Sequence, residues 1–463
     1  MTTLADTLSN FTKSLRYETI PKKTVHELKR RVIDSLGCAM GAYHSEPARI
    51  VREMGLHIFS PYGATLFGKD HKTTPDFAAF SNGLLIRYLD YNDTYLSLEP
   101  AHPSDNLSAV LAIAEAEHRN GKTLLTALLA AYEIQCRLCD SASLRSRGWD
   151  HVVYGVFSSS LAAAKLMDLT REEMVHVLGI AGVANNALRQ TRVGELSMWK
   201  GAAFANAARN GVFSALLVKH GMTGPASIFE GEKGFFNLIS GPIELTPASF
   251  GGEIKPFRIM ESYIKYYPAE YHSQSAIGAA LEIRPQVFEE GGLEGIDSIL
   301  IKTPQASFEI IGSEKQKWAP KSRETADHSL PYLVGIALID GKVETGQFSD
   351  DRILDEKVLK FLKKIQVVRD KEMDQEYPEG VPNEVSIFMK SGKTFSKKIL
   401  YPKGHPKNPL TDEEVERKFK TLGKDLLNQQ KLNEILDTLW NLEKLEDSGT
   451  LLNLFKQSSN NGL

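Results

Sequence analysis

Acidic side chains and a histidine are concentrated between residues 87 and 106, in the stretch RYLDYNDTYLSLEPAHPSDN. Asp90 and His102 are its two groups best suited to proton transfer, and Thr94 lies between them. A carboxyl group and an imidazole can take a proton from a substrate and protonate a leaving group when their pKa values lie near the working pH. The same residue types also cap turns and satisfy loops, so residue types alone leave a catalytic and a structural role equally open.

Two predicted helices meet at this stretch. Thr74 and Pro75 have the residue types of an N-cap and a first helical position, so we expect a helix that begins at Pro75 and ends just before Asp90. The negative helix end and partial burial would both disfavour the anion, which predicts a raised pKa for Asp90. His102 precedes Pro103 at the start of the next predicted helix, where the positive end favours a neutral imidazole and can receive an anion.

A histidine and a lysine occur at the starts of two later predicted helices. His151 follows GWD and precedes VVYGVFSSSLAAAKLM, whose small residues predict a closely packed helix. Lys200 ends the loop TRVGELSMWK, directly before GAAFANAARNGVFSALLVKHG. A lysine before a helix N-terminus is electrostatically unfavourable unless an anion joins it, which favours a functional role for Lys200.

The remaining candidates lie where the sequence changes from helical segments to segments that include strands. Lys265, Glu270 and His272 belong to IKYYPAEYHSQSA at this junction, and clefts form where domains meet. Tyr332 lies in ADHSLPYLVGIALIDG, close to Asp327 and His328. The default interpretation of any single tyrosine is a core aromatic residue with a satisfied hydroxyl.

The order of the predicted elements indicates a mostly α protein with two domains. Residues 1–263 are predicted to be helical, residues 264–406 to form a smaller α+β unit, and residues 407–463 to return to helix. Capping-box patterns, in which a threonine is followed three residues later by a glutamate, begin predicted helices at Thr24, Thr170 and Thr411. The predicted strands are IDSILIKT, KIQVVRD, NEVSIFMK and TFSKKILY, and the last two are expected to form a hairpin.

The composition argues against nucleic-acid-binding, membrane-spanning and cysteine-rich metal-binding classes of protein. A chain of 463 residues with a formal charge of −3 and dispersed basic residues gives no support to a nucleic-acid partner. No apolar run reaches membrane-spanning length. Three cysteines suit a reducing compartment, for which we expect the cytoplasm. Cys136 and Cys139 have C-x-x-C spacing but lie in an apolar helical run without a second pair, so no metal site is predicted.

The sequence also lacks several motifs that mark cofactor-dependent or nucleophilic enzymes. It contains neither a Gly-rich phosphate-binding loop between a strand and a helix nor H-E-x-x-H or a G-x-S-x-G elbow. Two lysines and neutral histidines suit a small substrate with several carboxylates. An acid and a base of matched pKa suit proton abstraction and protonation of a leaving group. These features together predict a lyase that needs no cofactor.

A series of motifs extends along nearly the whole chain, in the order RYLDYNDT, AHPSDN, GWDHVVYG, Lys200 ahead of NAARNG, KYYPAEYHSQSA and DHSLPYLVGIALIDG. This series resembles the MmgE/PrpD family, which includes 2-methylcitrate dehydratases and cis-aconitate decarboxylases. The resemblance implies a large all-helical domain formed from both chain ends, a smaller lid domain, a homodimer, and no metal or organic cofactor. It implies active-site positions at Asp90, Thr94, His102, His151, Lys200, Lys265 and Tyr332.

One position separates the two activities within this family. Decarboxylase-like members tend to have a histidine after the Pro-Ala pair, whereas this chain has Glu270 there and His272 two residues later, as dehydratase-like members do. The resemblance therefore favours dehydration of 2-methylcitrate, a tricarboxylate, to 2-methyl-cis-aconitate in propionate breakdown, with weaker action on citrate.

Roles for the candidate residues follow from this hypothesis. Lys200 and Lys265 would stabilise the charge that develops on a substrate carboxylate. Asp90 and His102 would abstract the proton or protonate the leaving hydroxyl, and His151 and Tyr332 would form a second proton-handling pair. Thr94, Glu270 and His272 would bind the substrate.

Three alternatives differ from this hypothesis. The first is decarboxylation of cis-aconitate to itaconate, and epimerisation or dehydration of other dicarboxylates ranks behind it. The second is an iron–sulfur dehydratase, which would need three well-placed cysteine ligands. The third is a non-catalytic homologue that binds polycarboxylates.

Overall fold

The computed structural model describes residues 2–252 and 254–456. Helix accounts for 59% of the protein and strand for 8%, so the predicted mostly α class is confirmed. The α-helices are α1 (Leu4–Ser14), α2 (Lys22–Ala42), α3 (Glu46–Leu56), α4 (Pro75–Tyr88), α5 (Leu107–Ala116), α6 (Gly121–Ser141), α7 (Val152–Leu166), α8 (Arg171–Ala184), α9 (Trp199–Lys219), α10 (Gln274–Glu289), α11 (Gln305–Ser307), α12 (Arg323–Ala326), α13 (Leu330–Asp340), α14 (Asp350–Ile353), α15 (Glu356–Leu362), α16 (Asp412–Gly423) and α17 (Gln429–Trp440). The strands are β1 (Ala64–Thr65), β2 (Lys72–Thr73), β3 (Ile296–Thr303), β4 (Ile365–Arg369), β5 (Asn383–Met389) and β6 (Thr394–Ile399).

Helix starts follow the local capping signals at two of the three predicted capping boxes. Thr170 and Thr411 each accept a hydrogen bond from the backbone N–H three residues later, so the boxes that begin α8 and α16 are confirmed. The box predicted at Thr24 is wrong, because α2 begins at Lys22 and Thr24 lies inside it. Pro21 is the N-cap of α2. A backbone N–H at the start of a helix has no partner within the helix, so proline, which lacks this N–H, loses no hydrogen bond there.

A first cluster of buried apolar residues is formed by α1–α9 together with α16 and α17. It extends from Leu4 to Ile264 and then resumes from Leu410 to Phe455. Small residues allow its helices to approach closely, since a Cβ at Gly155 of α7 would overlap the Phe204 ring of α9. Within residues 2–252 and 254–456, no helix is long and apolar enough to cross a membrane.

A second cluster of buried apolar residues extends from Ala269 to Met389 and contains a four-stranded mixed sheet. The strand order is β4-β3-β5-β6, in which only the β3–β4 pair is parallel. All four strands predicted from the sequence are confirmed, and the predicted hairpin joins β5 to β6. Its turn contains Gly392 with φ +90°, a conformation that glycine adopts without steric cost.

Candidate active site

The carboxylate of Asp90 lies at the centre of a buried charge cluster. Its Oδ1 is 2.6 Å from Arg87 Nη1 and 2.5 Å from Lys265 Nζ. Its Oδ2 is 3.2 Å from Lys200 Nζ. All four side chains are at most 3% exposed. Asp90 follows the end of α4 with φ +50°, and in this left-handed conformation its carboxylate meets three cations from three parts of the chain.

The charge state of Asp90 is the opposite of the one predicted from the sequence. Burial acts to raise the pKa of Asp90, but the charges of Arg87, Lys265 and Lys200 outweigh it and hold the pKa well below its usual value. The predicted raised pKa is therefore wrong, because Lys265, which lies 175 residues away in sequence, cannot be seen in the local pattern. Burial lowers the pKa of Lys265, and Asp90 opposes this effect.

Lys200 lies in the first turn of α9 and joins Asp90 to a second carboxylate. Its Nζ is 2.8 Å from Asp327 Oδ1 and 3.1 Å from His328 Nδ1. The anion that the sequence analysis required beside this lysine is thus supplied by the protein itself. Asp327 and His328 are not among the site residues predicted from the sequence, although the motif DHSLPY contains both.

Asp90, Asp327 and His328 form a group that could hold a metal ion. Each offers one ligand atom, and these atoms lie within 4.8 Å of one another. Lys200 Nζ lies within 3.2 Å of an atom of each of the three residues. The lysine ammonium therefore supplies a positive charge at the place where such an ion would bind.

His102 is fixed through both ring nitrogens. Its Nδ1 lies 2.7 Å from the Asp93 carbonyl oxygen and 3.2 Å from Thr94 Oγ1, and its Nε2 lies 2.9 Å from Arg87 Nη2. A carbonyl oxygen only accepts, so Nδ1 carries the hydrogen and Nε2 accepts from the guanidinium. Burial and the nearby charges of Arg87 and Lys265 lower the pKa of His102 well below its usual value. This agrees with the predicted neutral imidazole, although these charges come from side chains.

His151 is the N-cap residue of α7 and forms a second fixed imidazole. Its Nδ1 is 2.9 Å from Asp150 Oδ1, and Arg192 Nε is 3.0 Å from Asp150 Oδ2. The centroids of the His151 and His102 rings are 5.7 Å apart. Within the described ranges 2–252 and 254–456, the buried His151 Nε2 has no hydrogen-bond partner. Burial lowers the pKa of His151 and Asp150 opposes this, so the ring is neutral with its lone pair on Nε2.

Glu270 and His272 form another carboxylate–imidazole pair. Glu270 Oε1 is 2.6 Å from His272 Nδ1, and the His272 backbone N–H donates to Glu270 Oε2 at 2.8 Å. Burial acts to raise the pKa of Glu270, but the interactions with His272, His328 and Lys265 lower it to about 2. The Glu270 backbone N–H donates to the Asp327 carbonyl oxygen at 2.9 Å, which connects this pair to the Lys200 contacts.

Two family matches cover most of the chain. Residues 6–248 match the MmgE/PrpD N-terminal domain, and residues 267–442 match the MmgE/PrpD C-terminal domain. The chain belongs to the MmgE/PrpD family.

Relatives of this MmgE/PrpD protein carry dehydratase names. Over 81% of its length it is 30% identical to the mitochondrial 2-methylcitrate dehydratase of Yarrowia lipolytica, of which the match covers 75%. It is 28% identical to the 2-methylcitrate dehydratase of Escherichia coli over 91% of this chain and 94% of that protein. It is 31% identical to an alkylcitrate dehydratase of a fungal species over 87% of this chain and 84% of that protein.

Tyr332 is the one predicted catalytic residue that the structure does not bring to the Asp90 cluster. It lies in the first turn of α13, and its hydroxyl donates to the Gln347 carbonyl oxygen at 2.5 Å. Its ring is buried in the second apolar cluster beside Phe348, and burial raises its pKa. Since α13 begins at Leu330, its packing turns Tyr332 into the core, while Asp327 precedes the helix and contacts Lys200.

Most of the titratable side chains at the site of this MmgE/PrpD protein are buried. A cavity of about 500 Å³ lies beside α7 and α9 and is lined by residues that include Val152, Asn186 and Trp199, but by none of the cluster side chains. Lys265 is fully buried and His151 is only 8% exposed. The side chains of the Asp90 cluster are therefore almost fully buried, whereas His102 and His328 beside them are partly exposed.

Proposed function

We propose that this protein is a hydro-lyase that removes water from 2-methylcitrate to give 2-methyl-cis-aconitate in propionate breakdown, with weaker action on citrate. One observation carries the proposal: Lys200, Lys265 and Arg87 all contact Asp90 in a buried region that also contains imidazoles paired with carboxylates. The dehydratase names of relatives that align over most of the chain give independent support.

The three cations supply what a tricarboxylate substrate needs. Loss of a proton beside a carboxylate places negative charge on that carboxylate in the transition state, and fixed cations in a water-poor site stabilise it. Lys200 and Lys265 are already held in place by Asp90, so they need no reorganisation when this charge develops. We assign Asp90 the role of orienting these cations, since its low pKa makes it a poor proton donor.

His151 is the best candidate for the base. Asp150 accepts from Nδ1, which leaves the Nε2 lone pair free to take a proton from the carbon beside a substrate carboxylate. The lone pair of His102 Nε2 is instead occupied by Arg87, so we assign His102 and Thr94 to the wall of the site beside His151.

Lys200 and His328 are the candidates for the acid. Their nitrogens are 3.1 Å apart, so a proton donated by the ammonium to the leaving hydroxyl can be replaced through the imidazole. The electron pair of the broken C–H bond forms the C=C bond while the C–O bond breaks, and the hydroxyl leaves as water. Return of the proton from His151 restores the enzyme, so the reaction needs no co-reactant.

The remaining parts of the site and assembly complete the proposal. Glu270 and His272 bind the substrate and favour dehydration over decarboxylation. Residues 264–406 form a lid whose opening admits the substrate, since the side chains of the Asp90 cluster are almost fully buried. The protein acts as a homodimer without a metal or organic cofactor. Its three cysteines are free and buried, which suits the proposed cytoplasmic location.

Turnover of synthetic 2-methylcitrate tests this function. The enzyme is treated with a chelator, and formation of the unsaturated product is followed by ultraviolet absorbance. We expect turnover by the wild-type protein and its loss in His151→Gln. A parallel incubation with cis-aconitate measures carbon dioxide. Release of carbon dioxide without dehydration of 2-methylcitrate would assign the decarboxylase activity instead, and tight citrate binding without either reaction would assign a binding protein.

A further inference from the structure

A lysine from the C-terminal part of the chain contacts the backbone next to the Asp90–Lys265 ion pair. Lys418 Nζ, on α16, donates to the carbonyl oxygen of Tyr91 at 2.7 Å and to that of Lys265 at 2.9 Å. It also lies 2.6 Å from Asp34 Oδ1 on α2. Lys418 is 8% exposed, and its Nζ is 3.6 Å from the centre of the Tyr91 ring.

The two carbonyl groups belong to the chain segments that carry the ion pair. Tyr91 directly follows Asp90, and Lys265 is the partner of that carboxylate. A short distance along both segments, Thr94 and Tyr263 exchange two backbone hydrogen bonds of 2.9 Å and 2.7 Å. The segments are therefore tied together by the Thr94–Tyr263 bridge, by the Asp90–Lys265 pair, by the Tyr91 hydroxyl, which donates to the Tyr266 carbonyl oxygen at 2.7 Å, and by Lys418.

Close packing of α16 on α2 fixes the position of Lys418. A Cβ at Gly37 would lie 3.2 Å from the Cα of Phe419, so the absence of a side chain at Gly37 lets the two helices approach at the residue next to Lys418. Asp34 lies three residues before Gly37, on the same face of α2. The ammonium therefore reaches the two carbonyl groups from an anchored backbone.

We propose that Lys418 is a positioning residue for the dehydration, which holds Lys265 and the Asp90 segment at their working separation. Lys418 bonds backbone carbonyls and Asp34 and has no hydrogen bond to a side chain of the Asp90 cluster in the described parts of the chain, so it acts through Lys265 rather than on the substrate. A displacement of about 1 Å in a reacting group can lower a rate by about 100-fold. This inference rests on the proposed dehydratase function.

Lys29 offers a matched control for Lys418. It lies on α2, its Nζ donates to the Trp440 carbonyl oxygen at 2.8 Å, and it pairs with Glu443 at 2.5 Å. Lys29→Met therefore removes a backbone contact and an ion pair between α2 and a C-terminal segment, as Lys418→Met does, but its partners lie outside the Asp90 cluster.

The folding of the Lys418 variant depends on the charge of Asp34, which loses its cationic partner. Burial raises the pKa of Asp34 and Lys418 opposes this, so without the lysine the carboxyl group can take a proton instead of remaining a buried anion. A double variant, Lys418→Met with Asp34→Asn, removes both charges and provides a second test if the single variant does not fold.

The experiment combines kinetics with amide hydrogen exchange on the full chain. We expect kcat for 2-methylcitrate to fall about 10- to 100-fold in Lys418→Met and in the double variant, with KM within about threefold. Amide exchange at Thr94 and Tyr263 should accelerate at least tenfold in both. Lys29→Met should change neither quantity, although its thermal stability falls.

Each other outcome has a defined meaning. Unchanged exchange at Thr94 and Tyr263, or faster exchange with wild-type kcat, overturns the positioning role of Lys418. The same changes in Lys29→Met would show a general effect of destabilisation and also overturn it. If the wild-type protein does not turn over 2-methylcitrate, the proposed function fails, whereas the exchange rates still decide whether Lys418 holds the two segments together.

Discussion

Replacing Asp150 by asparagine tests the assignment of His151 as the base, because it changes one charge and almost no volume. Asp150 is fully buried, and its two oxygens contact His151 Nδ1 at 2.9 Å and Arg192 Nε at 3.0 Å. The asparagine oxygen can still accept from Arg192. Its NH2 group would then face His151 Nδ1 and donate to it, which places the ring hydrogen on Nε2 and removes the lone pair that takes the substrate proton.

The size of the effect follows from the two functions that Asp150 serves. Loss of a positioned general base lowers kcat by about 100- to 10,000-fold, which corresponds to about 3–5 kcal/mol of activation free energy. Loss of a hydrogen bond to a buried charged group costs about 1.5–3 kcal/mol of unfolding free energy. Asp150 raises the pKa of His151 against the effect of burial, so in Asp150→Asn this pKa falls further. The acid limb of the kcat/KM profile should therefore move to lower pH.

The assay measures kcat and kcat/KM for 2-methylcitrate from pH 4 to 9 by the absorbance of the product. Glu133→Gln is the matched control, since Glu133 is also fully buried and accepts from Arg137 Nε at 2.7 Å, but contacts no imidazole. It should lose stability while retaining kcat. Activity of Asp150→Asn within threefold of wild type, or an acid limb at higher pH, would refute the assignment of His151 as the base.

Three further predictions concern Lys200 in the site and two buried residues outside the Asp90 cluster, Asp105, whose Oδ2 is 3.8 Å from Arg87 Nε, and Tyr332. Lys200→Met should lose at least 100-fold in kcat and about 3–5 kcal/mol of unfolding free energy at pH 8. Burial acts to raise the pKa of Asp327, but Lys200 outweighs it and lowers this pKa. Without the lysine the carboxyl group takes a proton more readily, so the loss of unfolding free energy, measured by denaturant titration, should shrink as the pH falls from 8 towards 5. An equal loss at both pH values would contradict this. Burial raises the pKa of Asp105 to about 7, so its ionisation costs folding free energy as pH rises from about 4 to 7. The stability of Asp105→Asn relative to wild type should therefore increase from pH 4 to pH 8, and a pH-independent difference would be inconsistent with it. Tyr332→Phe should keep kcat within threefold and lose about 0.5–1.5 kcal/mol in thermal unfolding, because it removes only the bond to Gln347, and a tenfold loss of kcat would place the hydroxyl in the reaction.

The parts of the fold that were predictable from sequence depend on neighbours within a few residues. Thr170 and Thr411 cap their helices through groups three positions away, and Pro75 begins α4 as its residue type predicts. Strand patterns such as IDSILIKT report which side chains are buried on a sheet. Thr24 has the same local pattern as the two threonines that cap their helices, yet α2 begins earlier, at Lys22 with Pro21 as its N-cap, because neighbouring residues compete for the same first turn.

The parts of the site that were missed depend on contacts between distant segments. Asp90 lies just beyond the end of α4, as predicted, but the charges of Arg87, Lys265 and Lys200, two of which come from distant segments, hold its pKa low. Asp327 belongs to the site because Lys200 Nζ contacts its carboxylate, and a contact between residues 127 positions apart leaves no local sequence pattern. Arg87 was predictable in principle, since it lies three residues before Asp90 in the same stretch.

The contact between α16 and the Asp90–Lys265 pair has a consequence for biosynthesis. Lys418 is translated long after Tyr91 and Lys265, whose carbonyl groups it binds. A chain whose synthesis stops after β6 contains every acid and base of the site, but it lacks this lysine. We therefore expect messages truncated before codon 412 to yield chains without dehydratase activity, and expect full activity to appear only after the last helices leave the exit tunnel.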